Sequence, residues 1–355
     1  MSDFFAHPLY QEDLHAIALA DFIPWEKLQD TAIVISGATG LIGSCLIDSI
    51  MLVNQTRKLN CTVFAVCRNR ERAIERFHAH SSNPLLHIVG GDINELSTIA
   101  ELPACDYVLH LASNTHPVAY ATDPIGTVMT NILGTRNMLE FAADKASRFL
   151  FASSNEIYGE NRGDCELFKE TDLGYIDCNT LRAGYPESKR CGESLCQAYR
   201  VQRGVNAVVA RLTRSFGPTL LSSDTKALSQ FLRNGIAGED IVLKSEGIQY
   251  YSYTYAADAV TGLLAALLQG KDGEAYNVAD ETCDIRLKDL AEMVAEASGT
   301  VVRFDLPDET ERMGFSKATK ARLDGTKIRR LGWHTQYSLC TAIFRTVQML
   351  RETIR

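Results

Sequence analysis

The sequence lacks the long apolar run that a membrane-spanning helix requires. Its longest uncharged stretch covers residues 31–47, contains three glycines and ends before Asp48. This stretch is shorter than the ~20 apolar residues that cross a bilayer. The first thirty residues carry several acidic side chains, whereas a secretory signal has a basic start and an apolar core. We therefore expect a cytoplasmic protein without a membrane partner.

A surplus of basic residues is also missing. Lys and Arg number 36 against 44 Asp and Glu, so the net charge is −8. A general nucleic-acid-binding protein would need a basic surface, and we expect no nucleic-acid partner. Small anionic ligands stay possible, because a local basic pocket can lie on an acidic protein. None of the ten cysteines is spaced as a CxxC pair, so neither disulfides nor a metal site is expected.

Strand-length apolar runs alternate with helical patterns between residues 31 and 212. Such alternation predicts βαβ units and a mostly parallel sheet. The fold class is therefore α/β, with a Rossmann-type doubly wound parallel sheet and a smaller, mixed α/β C-terminal substrate lobe. We divide the 355 residues into an N-terminal helical extension (1–30), a dinucleotide-binding domain (31–215) and a mainly substrate-binding lobe (216–355). It stays open whether segments of the last part return to the Rossmann domain.

A glycine-rich turn follows the first buried strand directly. Its glycines have the spacing G-x-x-G-x-x-G and precede a predicted helix. Such a turn lets the backbone approach a pyrophosphate at a helix N-terminus, where free N–H groups and the helix dipole favour an anion. The predicted cofactor-binding residues of this turn are Gly37, Thr39, Gly40, Leu41, Ile42 and Gly43.

The second predicted strand ends without the acidic residue that would bind the ribose of NAD. Arg68 and Arg70 stand there instead, and arginine suits the 2′-phosphate of NADP. The cofactor is therefore NAD or NADP, with a preference for NADP resting on Arg68 and with Arg70 as a second candidate. The alternative is that both arginines are solvated surface charges.

Tyr185 and Lys189 are four residues apart, which places them on one face of a helix. A nearby ammonium ion favours the phenolate form of tyrosine, which then accepts a proton from a substrate hydroxyl during hydride transfer. Ser154 directly follows the fifth predicted strand, at the edge where open parallel sheets bind ligands. We expect Ser154 to hold the hydroxyl that Tyr185 deprotonates.

With these motifs the chain resembles the extended short-chain dehydrogenases/reductases, in particular their NAD(P)-dependent nucleotide-sugar epimerases, dehydratases and decarboxylases. The resemblance implies transient oxidation at C4 of a nucleotide-activated sugar, catalysed by Ser154, Tyr185 and Lys189, with the last two also contacting the cofactor. It also implies a homodimer formed through the helices at 124–143 and 186–203. The further cofactor-binding residues that it implies are Asp92, Ile93, Leu111, Ala112, Ser113 and Asn131.

Three positions depart from the family pattern. The triplet after the fifth strand is Ser154-Asn155-Glu156, where 4,6-dehydratases carry Thr-Asp-Glu, so simple dehydration is in doubt and Glu156 becomes the candidate for the second step. Arg214 stands where the family usually has asparagine, and Tyr251 where it usually has the arginine that grips the diphosphate. The two changes compensate each other if Arg214 supplies the missing guanidinium; otherwise Arg214 binds an extra anionic group. The candidate substrate-binding residues are Asn155, Arg214, Lys226 and Tyr251.

The preferred function is an isomerase or lyase that oxidises C4 and then epimerises or decarboxylates the sugar. An NADPH-dependent keto-sugar reductase and a 4,6-dehydratase with an altered acid site are the alternatives. A cofactor-binding regulatory protein without turnover is disfavoured, because a pure binder has no need of all three catalytic side chains. Four tyrosines between residues 250 and 255 either pack within a strand or provide a stacking surface for a base or sugar.

Overall fold

Seven parallel strands form the central sheet of the computed structural model, which describes residues 4–115, 122–221, 223–306 and 319–353. In chain order the strands are β1 (Ala32–Ser36), β2 (Thr62–Cys67), β3 (Leu86–Gly90), β4 (Tyr107–His110), β5 (Arg148–Ser154), β6 (Ala207–Leu212), β7 (Arg214–Phe216), β8 (Ile241–Leu243), β9 (Tyr250–Tyr255), β10 (Ala275–Val278), β11 (Asp284–Arg286), β12 (Val302–Phe304) and β13 (Lys320–Ala321). The central sheet has the order β10-β6-β5-β4-β1-β2-β3. Its strand order reverses between β1 and β4, and an open sheet binds ligands at such a switch point.

Helices cover the central sheet and the second lobe. Their bounds are Pro8–Leu19, Leu41–Arg57, Arg70–Arg76, Leu96–Ala100, Pro124–Met129, Thr135–Lys145, Gly184–Arg203, Ala227–Ala237, Ala256–Gln269, Leu287–Ser298, Thr326–Arg329 and Leu339–Thr353. The helix predicted at 124–143 is interrupted by a π-helical segment, Thr130–Gly134. The strand–helix alternation confirms the predicted Rossmann-type fold class.

A smaller mixed sheet lies beyond β6. Its central strand β9 pairs antiparallel with β11 and parallel with both β7 and β13. A further parallel pair joins β8 and β12. The segment after residue 216 also contributes β10, which pairs with β6 in the central sheet. The chain therefore leaves the Rossmann sheet after β6, builds part of the second lobe, returns to the sheet edge with β10 and then completes the second lobe with β11, β12 and β13.

The N-terminal helix is anchored by a buried polar network. The Tyr10 hydroxyl donates to Asp48 Oδ2 at 2.6 Å, and the Arg76 guanidinium lies 2.5 Å from the same oxygen. Asp48 is fully buried within Leu41–Arg57, the helix that follows the glycine turn. A buried carboxylate needs such partners, because desolvation would otherwise favour its neutral form. The network therefore fixes the orientation of the helix Leu41–Arg57, which begins at the glycine turn. Among the described residues, no helix is long and apolar enough to cross a bilayer.

Candidate functional site

A cleft of about 820 Å³ opens at the carboxyl ends of β1, β4 and β5 and extends to β7 and β9. Doubly wound sheets bind their ligands at this edge. The structure brings almost all of the predicted site residues to its wall. These are Gly37, Thr39, Gly40, Leu41, Ile42, Gly43, Arg68, Asp92, Ile93, Leu111, Ala112, Ser113, Ser154, Asn155, Glu156, Tyr185, Lys189, Arg214, Lys226 and Tyr251.

The glycine turn has the close backbone contacts that a pyrophosphate site requires. Gly37 has φ +72°, and a Cβ added there would lie 2.8 Å from the backbone nitrogen of Ala112. A Cβ at Gly43 would lie 2.3 Å from the carbonyl oxygen of Gly37. Gly40 is the N-cap of the following helix and offers no capping side chain, so the first N–H groups face the cleft without an intrahelical partner. These features fit a dinucleotide whose diphosphate lies at this helix N-terminus.

Basic and polar side chains line the part of the cleft next to the end of β2. Arg68, Asn69 and Arg72 lie on its wall. Asn69 accepts the backbone N–H of Arg72 at 2.7 Å and so caps the helix Arg70–Arg76. The side chain of Arg70 turns towards Gly90: a Cβ added there would lie 3.0 Å from Arg70 Cβ. Of the two arginines predicted to bind a 2′-phosphate, only Arg68 lies in the cleft.

The predicted catalytic groups come together from β5 and from the helix Gly184–Arg203. Tyr185 lies in the first turn of this helix, and its hydroxyl is within hydrogen-bonding range of Ser154, a contact that by itself lowers the pKa of the tyrosine. Lys189 Nζ donates to the carbonyl oxygen of Ala152 at 2.8 Å and lies 4.8 Å from the centre of the Phe151 ring. The same ammonium lies 6.0 Å from the Tyr185 ring centre. Side chains four residues apart therefore do share one face and point at the end of β5.

Burial governs the ionisation of both groups. It raises the pKa of Tyr185, Glu156 raises this pKa further, and only the Ser154 hydrogen bond opposes the rise. Burial also lowers the pKa of Lys189 to about 7, with Glu193 acting in the opposite direction. The expected stabilisation of a phenolate by Lys189 is therefore opposed by the desolvation of the lysine itself.

Asn131 is the predicted cofactor-binding residue that does not line the cleft. It is fully buried in the π-helical segment. Its amide donates to Ser188 Oγ at 2.9 Å, and its carbonyl oxygen accepts the hydroxyl of Ser113 at 2.7 Å. Asn131 thus connects the cleft wall after β4 to the helix of Tyr185 and supports the site from behind.

Arg214 and Tyr251 form a stacked pair at the other end of the cleft. The guanidinium carbon of Arg214 lies 3.5 Å from the Tyr251 ring centre, which is a cation–π distance. The pair forms because β7 and β9 are neighbours, with Arg214 opposite Tyr253. Arg214 Nη1 is buried and has no hydrogen-bond partner among the described residues. A buried guanidinium nitrogen needs an acceptor, and the adjoining cleft offers space for one from a ligand.

Further charged groups surround this pair. Burial raises the pKa of Tyr251, Arg214 and Arg182 lower it, and Glu156 raises it further. Glu156 lies two residues after the end of β5, and its backbone N–H donates to Ser154 Oγ at 3.2 Å. Lys226 lines the cleft but is paired with Asp224, its Nζ 3.0 Å from Oδ2. The cluster around Tyr251 thus contains both an acidic group and guanidinium groups.

Sequence reasoning missed several residues of the cleft wall. Arg182 lies one turn before Tyr185 along the chain, and this spacing was an available signal. The others lie in segments without a motif. The missed polar residues include Asn69, Arg72, Arg182, Thr225, Lys244 and Gln249. Of the four clustered tyrosines, Tyr251 and Tyr253 line the cleft, whereas Tyr255 donates to Asp13 in the N-terminal helix.

Comparisons with known proteins give a consistent result. The model of the NAD dependent epimerase/dehydratase family matches residues 33–279. UDP-glucuronic acid decarboxylase 1 of Xenopus tropicalis is 28% identical over 326 residues, covering 91% of this chain and 72% of that protein. UDP-glucose 4-epimerase of Thermotoga maritima, solved with UDP-glucose, has a TM-score of 0.77 at 23% identity and covers 91% of this chain and 100% of its own. UDP-glucuronic acid 4-epimerase of Bacillus cereus, solved with UDP-glucuronic acid and NAD, has a TM-score of 0.76 at 20% identity, with the same coverage.

Proposed function

Because the chain belongs to the NAD dependent epimerase/dehydratase family, we propose that it oxidises C4 of a nucleotide-activated sugar transiently and then epimerises or decarboxylates that sugar. Residues 31–215 hold the dinucleotide and residues 216–355 supply most of the sugar-nucleotide site. One observation carries the proposal: Ser154, Tyr185 and Lys189 line the same cleft as the glycine turn. A binding protein without turnover would not need this constellation.

The residues of the glycine turn and its helix N-terminus hold the dinucleotide. Gly37 and Gly43 allow the backbone approach, and Ser113 and Lys189 lie on the wall towards the reacting end. A bound nicotinamide dinucleotide supplies the hydride acceptor and later returns the hydride. Asp92 and Ile93 lie at the other end of this wall, beside Arg68, and flank the adenosine.

Proton transfer is the task of the Tyr185 hydroxyl. Tyr185 Oη accepts the proton of the C4 hydroxyl, while Ser154 Oγ holds that hydroxyl in place. Burial raises the pKa of Tyr185, so its deprotonation requires a positive charge close by. Lys189 supplies this charge in its protonated form, and its pKa of about 7 leaves it substantially protonated at neutral pH.

Glu156 is our candidate for the second step. Its carboxylate lies close enough to Tyr185 and Tyr251 to raise the pKa of both. A carboxylate at this place abstracts or returns a proton next to a C4 ketone, or assists the loss of a carboxyl group. Asn155, which precedes it, binds the sugar and cannot act as the acid that a 4,6-dehydration needs.

Arg214 binds an anionic group of the substrate. The stacked guanidinium and its buried Nη1, which has no partner in the described part of the chain, support this role, since planar guanidinium groups recognise carboxylate and phosphate oxygens. The acceptor is either the diphosphate or a carboxylate on the sugar. The name of the Xenopus tropicalis relative supports the second source, as does the uronic acid in the Bacillus cereus structure. Lys226 contributes less to anion binding, because Asp224 already balances its charge.

The cofactor is NAD or NADP, and Arg68 favours NADP. The exposed position of Arg68 on the cleft wall and the missing acidic residue support this preference, while the NAD in the Bacillus cereus structure supports the alternative. Arg68→Ala is expected to weaken binding of 2′-AMP more than binding of AMP, and Arg70→Ala is the matched control. Equal weakening of both nucleotides in Arg68→Ala would contradict the preference for NADP.

The chain also forms a homodimer in this proposal. The helices Pro124–Met129 and Gly184–Arg203 leave large apolar side chains on the surface, with Ile125 77% and Val201 78% exposed. Burying such residues against a second copy is favourable. Analytical ultracentrifugation tests this point, and a monomer at micromolar concentration would contradict it.

The decisive experiment incubates the purified protein with UDP-glucuronic acid, UDP-glucose and dTDP-glucose separately and follows each by proton NMR. We expect conversion of at least one sugar with only catalytic amounts of dinucleotide, and no product from Tyr185→Phe. Stoichiometric consumption of NADPH with a keto-sugar would favour the reductase instead, a function that Arg68 and Arg72 would suit. Full turnover by Tyr185→Phe would overturn the catalytic assignment.

A further inference from the structure

A second set of buried charges lies directly behind the catalytic helix face. Glu193 follows Lys189 by four residues, so it extends the face of Tyr185 and Lys189 by one turn. Its side chain is only 15% exposed, although glutamate is rarely buried without partners. Nothing in the mechanism described above uses this carboxylate.

Glu193 joins the catalytic helix to both neighbouring strands. Its Oε1 accepts the hydroxyl of Ser153 on β5 at 2.5 Å. Arg211 on β6 binds the same carboxylate in a bidentate manner, with Nε to Oε1 at 3.0 Å and Nη2 to Oε2 at 2.7 Å. Ser153 is the residue before Ser154, so this contact fixes the strand end that carries the substrate-holding hydroxyl. A bidentate, charge-assisted pair is a geometrically specific connection.

Arg211 is itself held in place by further bonds. Its Nη1 donates to Tyr158 Oη and to the carbonyl oxygen of Glu170, each at 2.8 Å. Tyr158 is fully buried and donates to Asn277 Oδ1 on β10 at 2.7 Å. The guanidinium therefore cannot follow Glu193 if the helix moves. The connection runs from the catalytic helix through β6 to the edge strand of the central sheet.

We propose that Glu193 and Arg211 form a clamp that positions Tyr185 and Lys189 against Ser154, and that the Glu193 carboxylate sustains the positive charge on Lys189. The inference rests on the proposed function, because it assigns Glu193 and Arg211 as positioning residues for that catalytic set. It deepens the function by naming the groups on which the catalytic charge depends.

The charged and titratable groups around Lys189 support the second half of the proposal. On its own helix these are Glu193 and Cys196, which both raise the pKa of Lys189, and Tyr185. On β4 it is His110, whose pKa is lowered to about 3 by burial and by Lys189 itself, so His110 is neutral. The neighbouring part of β5 presents the carbonyl oxygen of Ala152 and the Phe151 ring, and β6 presents Arg211, which shares the Glu193 carboxylate. Since a buried thiol is protonated at neutral pH, Glu193 is the anion that faces Lys189 within this described shell.

The test compares Glu193→Gln with Glu187→Gln. Glu187 lies on the same helix but is paired with Arg190 at 3.5 Å and is about one-third exposed. Protein labelled with ¹³Cε-lysine reports the titration of Lys189 directly, and the signal is assigned by its loss in Lys189→Met. We expect the Lys189 midpoint to fall by about one pH unit in Glu193→Gln and to stay unchanged in Glu187→Gln. This readout needs no substrate, so it stays decisive even if the proposed reaction is wrong.

Turnover measurements distinguish the positioning role of Glu193 from its effect on the charge of Lys189. With the sugar nucleotide that the wild type converts, Glu193→Gln is expected to lose about tenfold or more in kcat with little change in KM. Glu193→Asp keeps the charge but shortens the side chain, so kcat falls while the Lys189 midpoint stays near that of the wild type. An unshifted midpoint in Glu193→Gln would overturn the charge assignment, and full kcat in both variants would overturn the clamp. If Glu193→Gln does not fold, a wild-type-like kcat in Glu193→Asp refutes the clamp alone.

Discussion

Replacing Lys189 by methionine should make the protein more stable and catalytically inactive at the same time. Lys189 is 2% exposed, and burial lowers its pKa to about 7. The folded state therefore disfavours the charged form that the unfolded chain carries. Methionine has a similar length and fills the same space without a charge.

The size of the gain follows from the pKa difference. A fall from 10.5 to about 7 corresponds to an upper limit of about 5 kcal/mol at 1.36 kcal/mol per unit. Water penetration and relaxation around a buried charge reduce such values, so we expect about 2 kcal/mol or more at pH 6. A depressed folded pKa contributes stability that is present above the unfolded pKa and is lost as the pH falls through the folded pKa. The wild type therefore loses stability between pH 10.5 and pH 7, and the variant does not.

Urea unfolding followed by circular dichroism measures this difference, on protein freed of nucleotide with charcoal. The excess stability of Lys189→Met should be largest at pH 6 and smaller at pH 9, where the unfolded lysine is still mostly charged, and should vanish only above the unfolded pKa. Lys145→Met, at the exposed end of the helix Thr135–Lys145, is the matched control and should keep both stability and turnover. Lower stability of Lys189→Met than of the wild type at pH 6, or a pH-independent difference, would refute the reasoning.

Three further predictions follow from the same structure. Gly37→Ala should abolish dinucleotide binding in a fluorescence titration and lower the free energy of unfolding, because φ is +72° and the new Cβ would lie 2.8 Å from the nitrogen of Ala112. Arg214→Lys should raise KM for the sugar nucleotide about tenfold or more with a smaller effect on kcat, since a lysine cannot provide the stacked fork; an unchanged KM would contradict substrate contact. Burial raises the pKa of Asp258 to about 7, so the stability that its protonated form contributes is lost as the pH rises from about 4 through 7. Asp258→Asn keeps an acceptor for the N–H of Gln336 and should gain more stability relative to the wild type at pH 8 than at pH 5, as urea unfolding would show.

The parts of the site that the sequence predicts are those encoded locally. The glycine spacing of the turn and the four-residue spacing of Tyr185 and Lys189 each lie within one helix or turn. Their geometry follows from helix and turn periodicity alone. Ser154 is predicted because residues at the carboxyl end of a buried strand meet at one sheet edge.

The parts that stay hidden depend on pairings between distant segments. Arg214 stacks on Tyr251 because β7 pairs with β9, and no local pattern gives the partner or register of a three-residue strand. The contact of Arg211 with Glu193 likewise needs the packing of a helix on β6. The sequence also indicates Lys189 as a candidate residue, but it does not show that the side chain is buried. Burial is what governs the charge of Lys189.

The π-helical segment Thr130–Gly134 is another feature without a sequence signal. Apolar spacing at 124–143 predicts one continuous helix, since an inserted residue changes the periodicity by only one position. Asn131 in this segment is nevertheless well bonded: its main-chain oxygen accepts Thr135 Oγ1 at 2.6 Å, and its side chain bonds Ser113 and Ser188. π-helical segments often occur at functional sites. Here the segment holds Asn131 behind the cleft wall, where its side chain connects Ser113 to Ser188.

The charge of the cleft wall is opposite in sign to the net charge of the chain. The chain carries −8 overall, yet the cleft wall holds seven basic and three acidic side chains. A cleft with walls of low dielectric constant focuses such a local excess and raises the concentration of anions in it. The basic groups lie at both ends, with Arg68 and Arg72 beside the glycine turn and Arg182 and Arg214 beside Tyr251. Two separate anionic ligands would distribute their charges in this way, one at the glycine turn and one over the stacked pair, with Tyr185 between them.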